Sequence, residues 1–584
     1  MIFLLCSVFC FSVFFLGLGY LFLRVTKWQY RFNPFLIIFI GFGVAGMYFS
    51  TISLFFALRT RTLLPLVVIS FIGLYYFWKE KRQLLIPVLP SFISFSFVFY
   101  FIVILHVLYS DINPLNDLKI YHATIVKWMN HYPVVPGLAN LHGRLGMNSL
   151  YLHLAAGMNV SIFYRQVASL LPALFYCTFF NLFFYEFLHH KRYQIFSLIM
   201  MVWCLATHHI VIYLTLNLNY DNSCMMYIAI VIYELMLIFD QRKNQTTDET
   251  MSMNLLFFLA SISFCIKQMG AINVIFVFFI ALYFLYKDKW SSLRSDVEVY
   301  ESRIFYKSVL IDIFSLCALP IFLFIIYIIR NLIQTGYLLY PLPYFRIEFD
   351  WTVPHHIIQR IYTEILYYPI YVVMNRSIPL EEIAQNMSFI EWFPYWISYH
   401  VRKHYIYCII TVIGFIVNVY LIIRHKDKYL FWLWLIMCIN IVFWFVSAPF
   451  LRFGNVFLCL LFAISLSYLV PKYVSDSCKY VLNANHVFRT AEHVLPILCL
   501  IIFISYVSYL IPHKMLIYPN TLPEYKLRAI QAETKAEPRL TIYVSVDRGY
   551  CGDKELVTCP PAYCNLKLCA RKPGDLGSGF YTEK

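Results

Sequence analysis

The sequence predicts an all-α polytopic membrane protein of about 12–14 transmembrane helices, and three observations lead there. Hydrophobic residues make up 61% of the 584 and charged residues only 13%, too few charges to cover a water-soluble protein of this length. Apolar runs of roughly 17–25 residues, the length a helix needs to cross the hydrocarbon, recur along the chain. Basic residues gather in alternate short loops, the pattern that sets orientation in a bilayer. The net charge of +15 is therefore mostly an orientation signal. It points to the lipid bilayer as partner and away from nucleic acid.

The expected spans are 2–22, 34–57, 63–78, 84–107, 166–187, 194–215, 223–239, 253–268, 270–286, 308–330, 404–423, 429–447, 454–471 and 493–511. With the N-terminus outside, the cytoplasmic loops hold Arg24, Lys27 and Arg31, then Lys79, Lys81 and Arg82, then Lys191 and Arg192, then Arg242 and Lys243. Lys287, Arg424 and their neighbours continue the series. The first run lacks a basic n-region and a clear small-residue cleavage site, so it is taken as a membrane helix or re-entrant anchor. Residues 1–511 thus form a transmembrane domain with external loops at 108–165 and 331–403. Residues 512–584 form a polar external tail with a strand expected at Arg539–Val546.

The first external loop contains a polar and aromatic island, Ser110 to Ser149. Leu118, Tyr121, Ile125 and Trp128 fall on one face at helical steps. A strip like that beside a membrane suggests a helix lying in the interface with its aromatic side towards lipid. Pro133 and the Pro136-Gly137 pair should end it. Trp128, Trp351 and Trp392 are most simply interface anchors. Residues 150–165 are mildly apolar and short, as in a re-entrant segment.

On this topology Asp111, Asp117, His122, Arg144, Asp221, Lys267, Arg330 and Arg452 all lie at the external ends of spans or in external loops. Carboxylates and cations far apart in sequence then share one membrane face. A carboxylate can take a proton from an attacking hydroxyl, and arginine or lysine can hold a phosphate leaving group. Duller roles stand beside these. Asp117 can cap the following helix, Asp111 can be a solvated loop residue, and Lys267, Arg330 and Arg452 can snorkel. His122 and the His208-His209 pair are more often satisfied structural histidines than ligands. Lys267 interrupts an otherwise continuous apolar stretch, so it should face water, an acid or an anionic ligand.

Four of the sixteen cysteines occur in the tail: Cys551, Cys559, Cys564 and Cys569. An external tail favours disulfides over thiolates, with Cys551–Cys559 and Cys564–Cys569 the preferred pairing. Zinc is the lesser option, because no C-x-x-C pair is present.

A multi-pass chain with an acidic residue in its first large external loop, followed by an interfacial helix, resembles the GT-C superfamily of polyprenyl-phosphate-sugar glycosyltransferases. Asp117-x-x-x-Tyr121-His122, Lys127-Trp128, Val135 to Arg144 and Asn148-Ser149 look more specifically like a group of largely uncharacterised bacterial integral membrane proteins. That likeness continues at Arg330-Asn331, Gly336-Tyr337, Tyr340-Pro341, Asp350-Trp351, Glu391-Trp392, Arg452-Phe453-Gly454, Cys551, Cys559 and Gly579-Phe580. The resemblance implies a bacterial inner-membrane enzyme with its active site and C-terminus on the periplasmic face. It would move a sugar from a polyprenyl-phosphate donor to a glycan, lipid or protein acceptor. It also implies that Asp117 acts as base or as ligand of a divalent cation, Mg or Mn. Arg330, Lys267, Arg452 and Arg144 would hold phosphate, with Tyr121, His122 and Asp221 lining the site. The chain differs from many GT-C enzymes in having four spans before the loop and no tight acidic pair in it. The competing expectations are a transporter or flippase for lipid-linked glycans, which would need midplane polar groups such as Glu234, and a glycan polymerase.

Overall fold

The computed structural model describes residues 2–85, 121–159, 171–189, 193–206, 218, 220–245, 251–293, 302–374, 378–477, 527–531, 541–545, 568–572 and 575–582. Among these, nine helices are long and apolar enough to cross a membrane, with two shorter apolar helices beside them. The chain is a multi-pass, all-α membrane protein carrying two small antiparallel strand pairs near its end.

The membrane helices run α1 (Ile2–Thr26), α2 (Pro34–Ile52) and α3 (Thr60–Leu85). The island contributes two short helices, α4 (Ala123–His131) and α5 (Leu150–Gly157). Then come α6 (Leu171–His189), α7 (Gln194–Ala206), α8 (Asp221–Asn244), α9 (Met253–Ile266), α10 (Ala271–Leu293) and α11 (Ser302–Thr335). Two helices of the second loop, α12 (His355–Val373) and α13 (Leu380–Asn386), precede α14 (Phe389–His425), α15 (Lys428–Ser447) and α16 (Leu451–Ser477). The expected spans 84–107 and 493–511 fall almost wholly outside the described residues. The span expected at 404–423 begins where α14 breaks, at His404 with φ −135° and ψ 32°.

Local chemistry sets the helix starts. Asn33 caps α2 by accepting from Phe35 and Leu36 N–H, with Pro34 at the first position. Asp427 does the same for α15. Ser388 and Glu391 form a capping box at the start of α14. Glycine decides the closest packing: a Cβ on Gly19 would lie 1.9 Å from the Ile37 carbonyl oxygen, and one on Gly41 2.0 Å from that of Phe15. The backbones of α1 and α2 touch there, as small residues permit between helices in lipid. Elsewhere buried amides act as glue. Asn273 on α10 donates to Asn440 on α15 at 3.1 Å, and Asn418 on α14 to Ser465 on α16 at 2.7 Å.

The tail strands are β1 (Leu527–Gln531) paired with β2 (Thr541–Ser545), the latter inside the expected strand, and β3 (Leu568–Lys572) paired with β4 (Asp575–Thr582). The second hairpin docks on the island. Phe580 N–H donates to Pro136 O at 2.9 Å, Asn140 donates to Trp351 O at 2.8 Å, and Thr582 donates to Asn140 Oδ1 at 2.8 Å. Asn140 therefore ties both long loops and the tail together.

Three sequence expectations change here. The island helix does not present its aromatic face to lipid: Trp128 is 1% exposed and Ile125 4%, because Phe580 of β4 packs edge-on against the Trp128 ring at 5.8 Å. Trp392 is likewise packed with Phe389 and Phe445 and is not a headgroup anchor. Trp351 stacks on Phe349 at 4.6 Å and under Arg571 at 4.7 Å. Finally, Cys569 is a free, buried cysteine, so its expected disulfide with Cys564 is not formed. The pairing that sets Cys569 opposite Tyr581 buries this thiol in the hairpin. Cys551, Cys559 and Cys564 lie outside the described residues.

Candidate functional site

The short helix α9 shapes the site. Its fourteen residues rise only about 21 Å, less than the roughly 30 Å of a bilayer core. At its end Lys267 is extended (φ −154°, ψ 139°), a 3₁₀ turn covers Gln268–Gly270, and α10 starts at Ala271. Lys267 is thus recessed from the island end of the bundle. The apolar run breaks where the lysine forecasts it.

Asp221, the first residue of α8, meets Lys267 there: Lys267 Nζ donates to Asp221 Oδ1 at 2.5 Å. Arg452, near the start of α16, places its Nε 4.0 Å from the other carboxylate oxygen. Phe453 lies beneath both cations, 3.6 Å from Lys267 Nζ and 4.5 Å from the Arg452 guanidinium carbon. The acid is the sealed partner, with its side chain 7% exposed, against 22% for Lys267 and 34% for Arg452. Three segments far apart in sequence therefore build a recessed cluster in which one buried carboxylate is met by two more exposed cations.

A second row of predicted residues flanks this recess. The His122 ring stands 5.3 Å from that of Tyr220, the neighbour of Asp221, and 4.2 Å from that of Tyr121. Arg144 sits 5.5 Å over the Tyr121 ring and pairs with Glu364 of α12 at 3.8 Å. His142, two residues before Arg144, accepts from the Arg144 backbone N–H at 3.1 Å through Nδ1, which requires the neutral imidazole. Burial first, and the Arg144 charge second, pull its pKa down to about 3.

Arg330 is not part of this cluster. It is 2% exposed, donates to Ser53 Oγ at 2.7 Å, and lines a separate cleft with Ser50, Asn148, His153 and Tyr327. That cleft has about 10 Å³ of room, enough for one water. Ser53 is the C-cap of α2, so the guanidinium faces the negative end of that helix dipole. Among the described residues no carboxylate pairs with it. Asp111, Asp117 and the His208-His209 pair lie outside the described residues.

The divalent cation that the resemblance implies belongs to Asp117, which lies outside the described residues, and Asp221 is no second candidate for it. One of its oxygens faces an ammonium and the other a guanidinium, which repel a divalent ion. Among the described residues no group of three or more His, Cys, Asp or Glu is placed to hold a metal. Sequence reasoning missed Glu364, the partner of Arg144, and gave no role to Phe450 and Phe453, the rings beside Arg452. Glu364 follows Arg360 at helical spacing, which marks a helix face but no site.

No curated protein and no solved structure matches the chain. A family model matches residues 1–295 and 299–459, most of the chain, and so this protein belongs to the family described as Domain of unknown function (DUF8201).

Proposed function

We propose that the protein is an integral membrane glycosyltransferase that moves a sugar from a polyprenyl-phosphate donor to an envelope glycan, lipid or protein acceptor on its external face. The convergence of Lys267 and Arg452 on buried Asp221 carries this reading. Two cations side by side suit the charge of a phosphate monoester, and the short α9 sets them below the surface, where the head of a lipid carrier would reach. In the reaction an acceptor hydroxyl oxygen attacks the anomeric carbon as the bond from that carbon to the phosphate oxygen breaks. The hydroxyl proton passes to a carboxylate, assigned to Asp117 by the family resemblance. The leaving polyprenyl phosphate gains negative charge, which Lys267 and Arg452 offset. Tyr121, His122 and Arg144 flank the sugar side. Asp221 positions the cations, and Arg330 works as a clasp between α11 and α2, not on the phosphate. The protein would sit in a cytoplasmic membrane with island and tail outside.

The test is transfer from a radiolabelled panel of polyprenyl-phosphate sugars by the full-length protein in proteoliposomes. Asp117→Asn should abolish transfer while the protein stays folded in the membrane. Full activity in that variant would remove Asp117 as base.

A further inference from the structure

At the other end of α8, some 30 Å from Asp221 by helix rise, a cleft of about 1050 Å³ opens between the ends of α1, α3, α8 and α10 and the start of α9. Among the described residues five cations line it, Arg24, Lys27, Lys81, Arg242 and Lys287, with Glu80 the one acid. The two arginines are occupied: Arg24 pairs with Glu80 at 2.9 Å and Arg242 with Asp288 at 2.5 Å. Among the described residues Lys27 and Lys287 have no acid partner, and Lys81 is in no ion-pair contact, though its charge reaches the Glu80 carboxylate. Lys81 also stands 5.9 Å over the Tyr30 ring. Tyr20, Trp28 and Phe32 give the cleft an aromatic wall, and Gln29, Gln241 and Gln245 add amides.

We propose that this cleft is a binding site for a phosphate-bearing anion, either the headgroup of a phospholipid in the adjoining leaflet or a soluble phosphorylated metabolite. Orientation in the bilayer needs basic residues in these loops, on any side of the bundle. It does not need three lysines, none of them in an ion pair among the described residues, drawn from three segments around one concavity with an aromatic wall. Nor does folding favour a lysine at position 27. That residue has φ +55°, a left-handed conformation that costs a side chain with a Cβ about 1–2 kcal/mol. The volume exceeds the needs of a bare phosphate and matches that of a pocket for a ligand with an organic portion, whose glycerol or base would lie on Trp28 and Tyr20. Nothing in this assignment draws on the transferase recess at the island end, and either can fail without the other.

The experiment uses the full-length protein in nanodiscs, which leave both faces accessible. One arm compares phosphatidylcholine discs with discs containing phosphatidylglycerol and reads retained lipid by native mass spectrometry. The other titrates inorganic pyrophosphate into phosphatidylcholine discs. Lys27→Gln/Lys81→Gln/Lys287→Gln is set against Lys79→Gln/Lys307→Gln/Lys428→Gln, an equal charge change on exposed lysines outside the cleft. Each lysine near an anionic group is worth about five-fold in affinity, so the cleft triple should lose on the order of 100-fold. Loss in the first arm alone identifies a lipid headgroup, and loss in the second a soluble ligand. Should the triple fail to fold, single Lys81→Gln and Lys287→Gln variants should each lose about five-fold. Equal affinities in the cleft and control variants, in both arms, would overturn the proposal and leave the lysines as orientation signals.

Discussion

Two points along α8, its first residue and its middle, hold inverse arrangements of the same chemistry. At the island end one carboxylate, Asp221, is shared by two cations, with Arg452 34% exposed. Thirteen residues along α8, at Glu234, one guanidinium, Arg31, is shared by two carboxylates. It lies 2.5 Å from Glu186 and 3.5 Å from Glu234, with its side chain 11% exposed and the two acids 1% and 2%. Glu186 also accepts from Asn33 at 2.6 Å and from Tyr233 at 2.8 Å. Asn33 is the N-cap of α2, so this sealed network fixes where α2 enters the bundle against α6 and α8. The difference teaches that an ion pair in this membrane protein takes its role from which partner is sealed. Where the cation is buried the pair is structural, and where the cations are the more exposed partners they can take a ligand.

Arg31→Met breaks the sealed network and should have the largest effect on stability. Leaving buried carboxylates without their guanidinium costs about 3–5 kcal/mol, read as a large fall in melting temperature of the detergent-solubilised protein. Whatever folds should still bind polyprenyl phosphate. Lys267→Met probes the Asp221 cluster through its more buried cation. Losing a hydrogen bond to a buried carboxylate costs about 1.5–3 kcal/mol, and here stability and phosphate binding should fall together.

A pH scan separates the island from both clusters. The buried His142 imidazole has its pKa at about 3, below its ordinary 6.5. As pH falls through 6.5 the unfolded chain takes up a proton that the folded island refuses. Stability is therefore flat above about 6.5 and declines between about 6.5 and 3, by about 1.4 kcal/mol per pH unit. Melting at pH 5 should lie below melting at pH 7 by the equivalent of about 2 kcal/mol, and His142→Asn should flatten that difference.

Much of the architecture was legible because lipid imposes length: twelve of the expected spans fall on described helices, and Lys267 marks the break between α9 and α10. Topology put Asp221, Lys267 and Arg452 on one membrane face with five other residues, because helix ends facing one side of a membrane are confined to a plane, but it did not separate these three from Arg330. What stayed hidden depended on distant covering. Nothing near Trp128 shows that Phe580 will close over it, so a buried face reads as a lipid-facing one. Arg330 reads as a free span-end cation because the helix terminus it serves, at Ser53, is made by a different segment. Cys569 reads as a disulfide partner because strand pairing, which buries it, leaves no mark in cysteine spacing.

The smallest stability effect carries the most direct test. Arg452→Met removes a partly exposed cation and should shift stability by no more than about 1 kcal/mol. Titration of a short-chain polyprenyl monophosphate into wild-type and Arg452→Met protein in nanodiscs should show affinity reduced about ten-fold or more in the variant, the worth of a charge-assisted hydrogen bond. Equal affinities for the two proteins would contradict a phosphate site at the Asp221–Lys267–Arg452 recess.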